Sequence, residues 1–140
     1  MNDKNEMLVS LAHQIKQFKK KLAISLTDNL YGDITFAQLM LLNQIDRGVV
    51  TVSELSKNLI ISPPAASKLV DQLFKLNLVT RVRSENDRRI VKIQLTEKGI
   101  EILEKNKQIK EKIFQEVLSP LTQEEIQQFI NLLKKINKDD

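Results

Sequence analysis

Seven cationic side chains crowd into the segment Ser62–Ile93: Lys68, Lys75, Arg81, Arg83, Arg88, Arg89 and Lys92. Only three anionic ones, Asp71, Glu85 and Asp87, lie among them. The 140-residue chain carries 22 Lys and Arg against 18 Asp and Glu, so the remainder balances at fifteen of each sign. All of the formal charge of +4 therefore sits in under a quarter of the chain. Side chains of this kind hold polyanions by charge and hydrogen bonding. Their concentration on one stretch points to an anionic partner.

Bond-making chemistry has little material. There is no cysteine, which removes disulfides, thiolate metal sites and thiol redox sensing. His13 is the lone histidine, too few for a metal cluster or a Ser–His–Asp triad. With 3 glycines, no loop has the composition that cradles phosphate. Glu124–Glu125 stand at a helix start, where carboxylates complement the dipole, and Asp139–Asp140 form a tail. No carboxylate pair lies in an apolar setting and no nucleophile has a base nearby. No enzyme, cofactor or metal site is expected.

The stretch SPPAASKLVDQLFKL, from Ser62 to Leu76, carries the first part of the cationic segment. At about 100° per residue, Ala66, Leu69, Val70 and Leu73 share one face and should pack inward. Pro64, Ser67, Lys68, Asp71, Gln72 and Lys75 share the other. That outer face is small and polar at its start and cationic further on. It suits a helix in a major groove, with early residues at base edges and lysines at phosphates. Asp71 is discordant unless Lys68 or Lys75 pairs with it. The two prolines mark the helix start, where backbone N–H groups have no intrahelical partner to lose. Two registers remain open. Ser62 is a natural N-cap, but Pro63 itself precedes a proline, so the helix could instead begin at Pro64.

The second part is a hairpin. LVTRVR (Leu78–Arg83) and IVKIQL (Ile90–Leu95) read as strands, the latter alternating Val91, Ile93 and Leu95 with Lys92 and Gln94. SENDRR between them is a polar tip presenting Arg88 and Arg89, and arginine suits a narrow minor groove. Asp87 would repel DNA, so its role is to orient an arginine through a charge-assisted hydrogen bond.

Helices must position both parts. Leu8, Leu11, Ile15, Phe18, Leu22 and Leu26 recur at helical spacing. TFAQLMLLNQI opens with the capping-box pair Thr35 and Gln38, and TVSELSKNLI repeats the signal with Thr51 and Glu54. After the hairpin, Thr96 caps a helix that stops at Ser119–Pro120, and Thr122 with Glu125 opens a last one. The predicted order is α-α-α-α-β-β-α-α, with a short extra strand possible near Val49–Thr51. The fold class is mainly α with a small β-wing: a winged helix-turn-helix flanked by terminal helices. The first helix and the last two are long and amphipathic, and a domain this size has little core for them all. A symmetric dimer would bury what remains. Residues 1–33 and 97–140 are thus expected to dimerise around a DNA-binding lobe at 34–96. No run reaches the ~18–20 apolar residues of a membrane span, and MNDKNEM does not open a signal peptide. The chain is expected in the cytoplasm.

The Ser-Pro helix start, LVTR, the DRR tip and LTEKG, taken in order at these spacings, resemble the MarR family of winged helix-turn-helix transcriptional regulators. With ITFAQLMLL and the flanking helices the likeness covers nearly the whole chain. It implies a homodimeric DNA-binding regulator, typically a repressor, with each winged helix-turn-helix on half of a roughly palindromic site. By position, Ser62, Pro64, Ser67 and Lys68 match the DNA-facing start of the recognition helix. Arg89 matches the groove-entering arginine and Asp87 the aspartate that orients it, with Arg88 between them. Gln72, Lys75 and Arg83 complete the residues assigned to DNA. Ile60 and Asn77 depart from the pattern, standing where relatives often have glycine. The resemblance also implies release by a small amphipathic or aromatic ligand, for which His13, Tyr31, Phe36 and Met40 are placed as contacts. Use of the same fold as a protein-binding module is the competing reading. The short side chains around Pro64 and Ser67 offer such a partner little apolar area.

Overall fold

The computed structural model describes residues 2–138. Asp139 and Asp140, read above as a tail, lie outside the described residues. The elements are α1 (Asp3–Asp28), α2 (Phe36–Asp46), α3 (Val52–Leu59), α4 (Pro63–Lys75), β1 (Val79–Arg83), β2 (Val91–Leu95), α5 (Glu97–Val117) and α6 (Gln123–Ile136). This is the order expected. The strands pair antiparallel from Val79↔Leu95 to Arg83↔Val91, so Arg81 lies opposite Ile93.

Helix starts follow local side-chain chemistry. Thr35 and Gln38 form a complete capping box on α2, and Thr122 and Glu125 form another on α6. Thr51 is only half of one. Its hydroxyl accepts from the Glu54 N–H at 3.2 Å, but the Thr51 N–H makes no return bond to the Glu54 carboxylate. Val49–Thr51 is not a strand. The Val49 N–H is turned back to the Gln44 carbonyl at 3.0 Å and Thr51 is committed to capping α3. What remains of the expected pairing is one bond, from the Ile93 N–H to the Val50 carbonyl at 2.8 Å.

The chain forms two compact units. One is Leu26–Ile109, whose core joins α2, α3, α4, the hairpin and the start of α5. Leu41, Leu42, Leu55 and Leu73 are fully buried there. Burial of each contributes roughly 1.5–3 kcal/mol. At the base of the hairpin the Thr96 N–H donates to the Leu78 carbonyl at 3.0 Å. Thr96 Oγ1 donates to the Asn77 carbonyl at 2.6 Å and accepts from the Gly99 N–H at 3.0 Å. The other unit comprises the chain up to Ser25 and from Lys110 onward. Its helices keep much of their apolar surface in solvent. Neither α1 nor α6 has a buried residue. Leu8, Leu11 and Ile15 on α1 and Phe129, Leu132, Leu133 and Ile136 on α6 are exposed.

Both departures from glycine adopt the left-handed conformation that glycine favours. Asn77 has φ 61° and Ile60 has φ 55°. Asparagine tolerates this region, whereas a β-branched residue there is strained. Ile60 caps α3 and is 91% exposed, so its side chain has almost no packing to lose. Replacing Ile60 by glycine is therefore expected to stabilise the protein by about 1 kcal/mol, less the entropy glycine adds to the unfolded chain. Urea unfolding of the two proteins checks this. An unchanged or lower midpoint in Ile60→Gly would mean that the strain stored at the turn does not exceed that entropy.

Candidate nucleic-acid interface

Ser62 decides the register of α4. It is extended, with φ −68° and ψ 151°, and its hydroxyl accepts from the Ala65 N–H at 3.2 Å. Pro63 and Pro64 then fill the first two helical positions, where no backbone donor is missed. Of the two registers left open by the sequence, the one starting at Pro63 holds.

The faces of α4 divide by burial. Ala66, Val70 and Leu73 are buried and Leu69 is half-buried. Ser62, Pro64, Ser67, Lys68, Asp71 and Lys75 are exposed. Gln72 stands at the margin. It is half-buried, and its Oε1 accepts from the Gln38 amide at 3.0 Å.

Asp71 pairs with neither Lys68 nor Lys75. Its partner is Arg81 on β1, and the Arg81 guanidinium also lies 5.1 Å from the centre of the Phe74 ring. The chain returns from α4 along β1, which brings the strand cation beside the helix. Arg81 is thereby neutralised and tied to α4, whereas Lys68 and Lys75 keep their charge. An exposed ion pair contributes at most about 1 kcal/mol, and an exposed cation–ring contact a similar amount. The consequence of the cluster is orientation of helix against strand more than stability.

The hairpin tip is built by hydrogen bonds. The Ser84 N–H donates to the Ile90 carbonyl at 2.9 Å, and the Ile90 N–H to the Asp87 carbonyl at 3.0 Å. Asp87 Oδ1 accepts from the Arg89 backbone N–H at 3.0 Å and lies 3.9 Å from Arg89 Nε. Arg83 Nη1 donates to the Arg88 carbonyl at 3.0 Å. Asp87 thus bends the backbone under Arg89, and its grip on the guanidinium is looser. The Arg89 side chain is 95% exposed. Positive charge is held out on a braced turn, in the same compact unit as the cationic face of α4.

The four residues placed around a ligand do not fall together in one unit. Tyr31, Phe36 and Met40 belong to Leu26–Ile109, and His13 is exposed on α1 in the other unit. Phe36 and Met40 are half-buried. Tyr31 is clasped by Asn106, a buried residue that sequence inspection passed over. Its amide takes both the Tyr31 N–H, at 2.9 Å, and the Tyr31 carbonyl, at 3.0 Å. The Tyr31 hydroxyl accepts from Lys105 at 3.2 Å, which holds that ammonium above the usual lysine range. No group of three or more His, Cys, Asp or Glu side chains that could hold a metal ion occurs among the described residues. No helix among them is long and apolar enough to cross a membrane.

The MarR family model matches residues 32–90, the segment that carries this face and the hairpin. Over 104 residues the chain is 31% identical to the Bacillus subtilis HTH-type transcriptional repressor MdtR, covering 74% of this chain and 67% of that one. The chain belongs to the MarR family. A mutant of MarR from E. coli solved with operator DNA superposes with a TM-score of 0.76 at 31% identity, covering 97% of this chain and 99% of that one. The HTH-type regulator YhbI of Bacillus subtilis is 42% identical over 74 residues, 52% of this chain, and the match spans about half of that relative, 48%. MdtR and YhbI are HTH-type transcriptional regulators, and the operator complex is that of MarR from E. coli.

Proposed function

We propose that this regulator is a repressor that binds a pseudo-palindromic operator as a homodimer and is released by a small ligand. The observation that carries the DNA-binding part is the braced, exposed Arg89 in the same compact unit as the cationic face of α4. On this reading Ser62, Pro64, Ser67, Lys68, Gln72 and Lys75 face the major groove. Arg83 and Arg88 flank the wing, Arg89 enters the minor groove, and Asp87 shapes the turn beneath it. Two relatives support the regulatory sense: MdtR is a transcriptional repressor, and a MarR structure contains operator DNA.

Dimerisation is supported by the apolar surface of α1 and α6. A monomer would leave Leu8, Leu11, Ile15, Leu132 and Ile136 in water. A second copy covering them would set two recognition helices on one duplex, with half-sites about one helical turn apart. The terminal helices then serve assembly and the winged segment serves DNA. Tyr31, Phe36 and Met40 offer aromatic and thioether surface to an amphipathic or aromatic effector. The cytoplasm is where such a regulator meets its operator.

The test is Arg89→Ala. Its operator affinity is expected to fall by about 1–3 kcal/mol, the loss of one arginine groove contact per site. Titration of labelled operator with both proteins at equal ionic strength measures it. Unchanged affinity would remove the wing from the interface. Failure of the parent protein to bind any duplex at low salt would favour an acidic protein partner instead.

A further inference from the structure

We propose that Gln72 meets DNA through its amide NH2, as a hydrogen-bond donor, and that Gln38 on α2 imposes this polarity. The proposal rests on the placement of α4 against DNA.

The reasoning begins at a backbone group whose polarity is beyond choice. The Thr35 N–H can only donate, so the Gln38 atom 3.0 Å from it is Oε1. The other end of that amide is an NH2 group, and it stands 3.0 Å from Gln72. A donor at that position requires an acceptor, so Gln72 presents its own Oε1. Gln38 is held in this pose. It is 8% exposed, and its backbone N–H is bonded in turn to Thr35 Oγ1 at 3.1 Å. The capping of α2 thus sets the orientation of a side chain on α4.

Gln72 is left with its Nε2. None of the described residues takes that group, and none of them carries a buried side-chain polar atom without a partner. Gln72 Nε2 is therefore at the surface, on the margin of the face that carries Lys68 and Lys75. A freely turning glutamine reads adenine with both ends of its amide, donating to N7 and accepting from N6. Gln38 occupies one lone pair of Gln72 Oε1 and turns that end of the amide toward α2, so the Nε2 end leads toward DNA. What that end engages is an acceptor: O6 and N7 of guanine, O4 of thymine, or a phosphate oxygen.

The experiment is selection of bound duplexes from a random pool by the full-length parent, Gln38→Glu and Gln72→Ala, with affinities then measured on the parent's selected operator. Glutamate is the usual capping-box partner of threonine, so Gln38→Glu keeps the start of α2. Its carboxylate accepts at both oxygens. Gln72 must then turn its NH2 inward and show its carbonyl to the DNA. If the acceptor is a base, Gln38→Glu is expected to move the preference at one position per half-site from guanine or thymine to adenine or cytosine. Gln72→Ala is expected to lose the preference there. If the acceptor is a phosphate, base preferences stay and both variants bind roughly five- to tenfold more weakly. Either result supports a Gln72 that donates to DNA through its NH2 end and identifies its acceptor. Parent-like preferences and affinity in both variants would overturn the proposal. It would also fall if Gln72→Ala changed the preference while Gln38→Glu did not. Should Gln38→Glu fail to fold, Gln38→Met frees the Gln72 amide to rotate, and adenine should join the preferred bases. Unchanged selection by folded Gln38→Met would again overturn it. A parent that enriches no sequence at low salt would instead refute the placement of α4 on DNA, and this proposal with it.

Discussion

Raising monovalent salt from about 50 to about 200 mM is expected to weaken operator binding by roughly 10³–10⁵-fold, the loss that follows from six to ten phosphate contacts. Each cation that meets a phosphate displaces condensed counterions, and added salt opposes their release. The winged segment supplies the contacts. Lys68 and Lys75 keep their charge on α4, Arg83, Arg88 and Arg89 surround the hairpin tip, and Lys92 lies on β2. Six cations per copy, doubled by a dimer, exceed the required number even if several point elsewhere. Arg81 is excluded from this total because Asp71 already neutralises it. The two kinds of cation are therefore expected to behave differently. Lys68→Ala should make the plot of log affinity against log salt shallower by about one for each phosphate contact removed. Arg81→Gln should leave that slope unchanged and weaken binding only through the loosened helix and strand. Fluorescence titrations of operator across the salt series give both. A loss below about tenfold would mean that phosphates do not carry the affinity.

The sequence showed most clearly what is decided within a few residues. Thr35 with Gln38, Thr122 with Glu125 and Ser62 with its two prolines are local arrangements, and the structure contains each. The alternation in β2 was legible for the same reason, because a strand with one buried face needs only its own period. Partnerships between elements were not legible. Asp71 had two lysines within one helical turn, yet it joined Arg81, which comes near only once the chain has turned back from α4 into β1. Gln38 had a sufficient local role as a cap, so nothing in the sequence indicated that its other end holds Gln72. Asn106 looked like a polar residue of a polar helix until the fold placed it under Tyr31. Val49–Thr51 had strand composition, but the donor a strand needed had been taken by Gln44. Local chemistry proposes an element, and competition for each backbone donor decides whether it forms.

Gly99→Ala is expected to destabilise the protein by about 3 kcal/mol, although glycine-to-alanine replacement in a helix ordinarily stabilises by up to about 1 kcal/mol. Gly99 lies in the first turn of α5, where the helix passes over the end of the α4–β1 connection. A Cβ at this position would stand 2.2 Å from the Leu78 carbonyl oxygen and 3.1 Å from its carbon. Backbone atoms cannot swing aside as a flexible side chain does. Leu78 is 1% exposed, so moving it disturbs the core. Moving α5 instead stretches the bond from the Thr96 N–H to that same carbonyl and the bond from Thr96 Oγ1 to Asn77. Each bond so lost adds about 1 kcal/mol. Gly48→Ala separates crowding from the general cost of replacing a glycine. Gly48 has φ +95° but no atom within 4 Å of a new Cβ, so its replacement should cost only the backbone strain, about 1 kcal/mol. Urea unfolding of both variants would rank them, with Gly99→Ala the more damaging. The reverse order would mean that the start of α5 can lift off Leu78 freely. In that case the hairpin base would not be the rigid footing on which the wing arginine is presented.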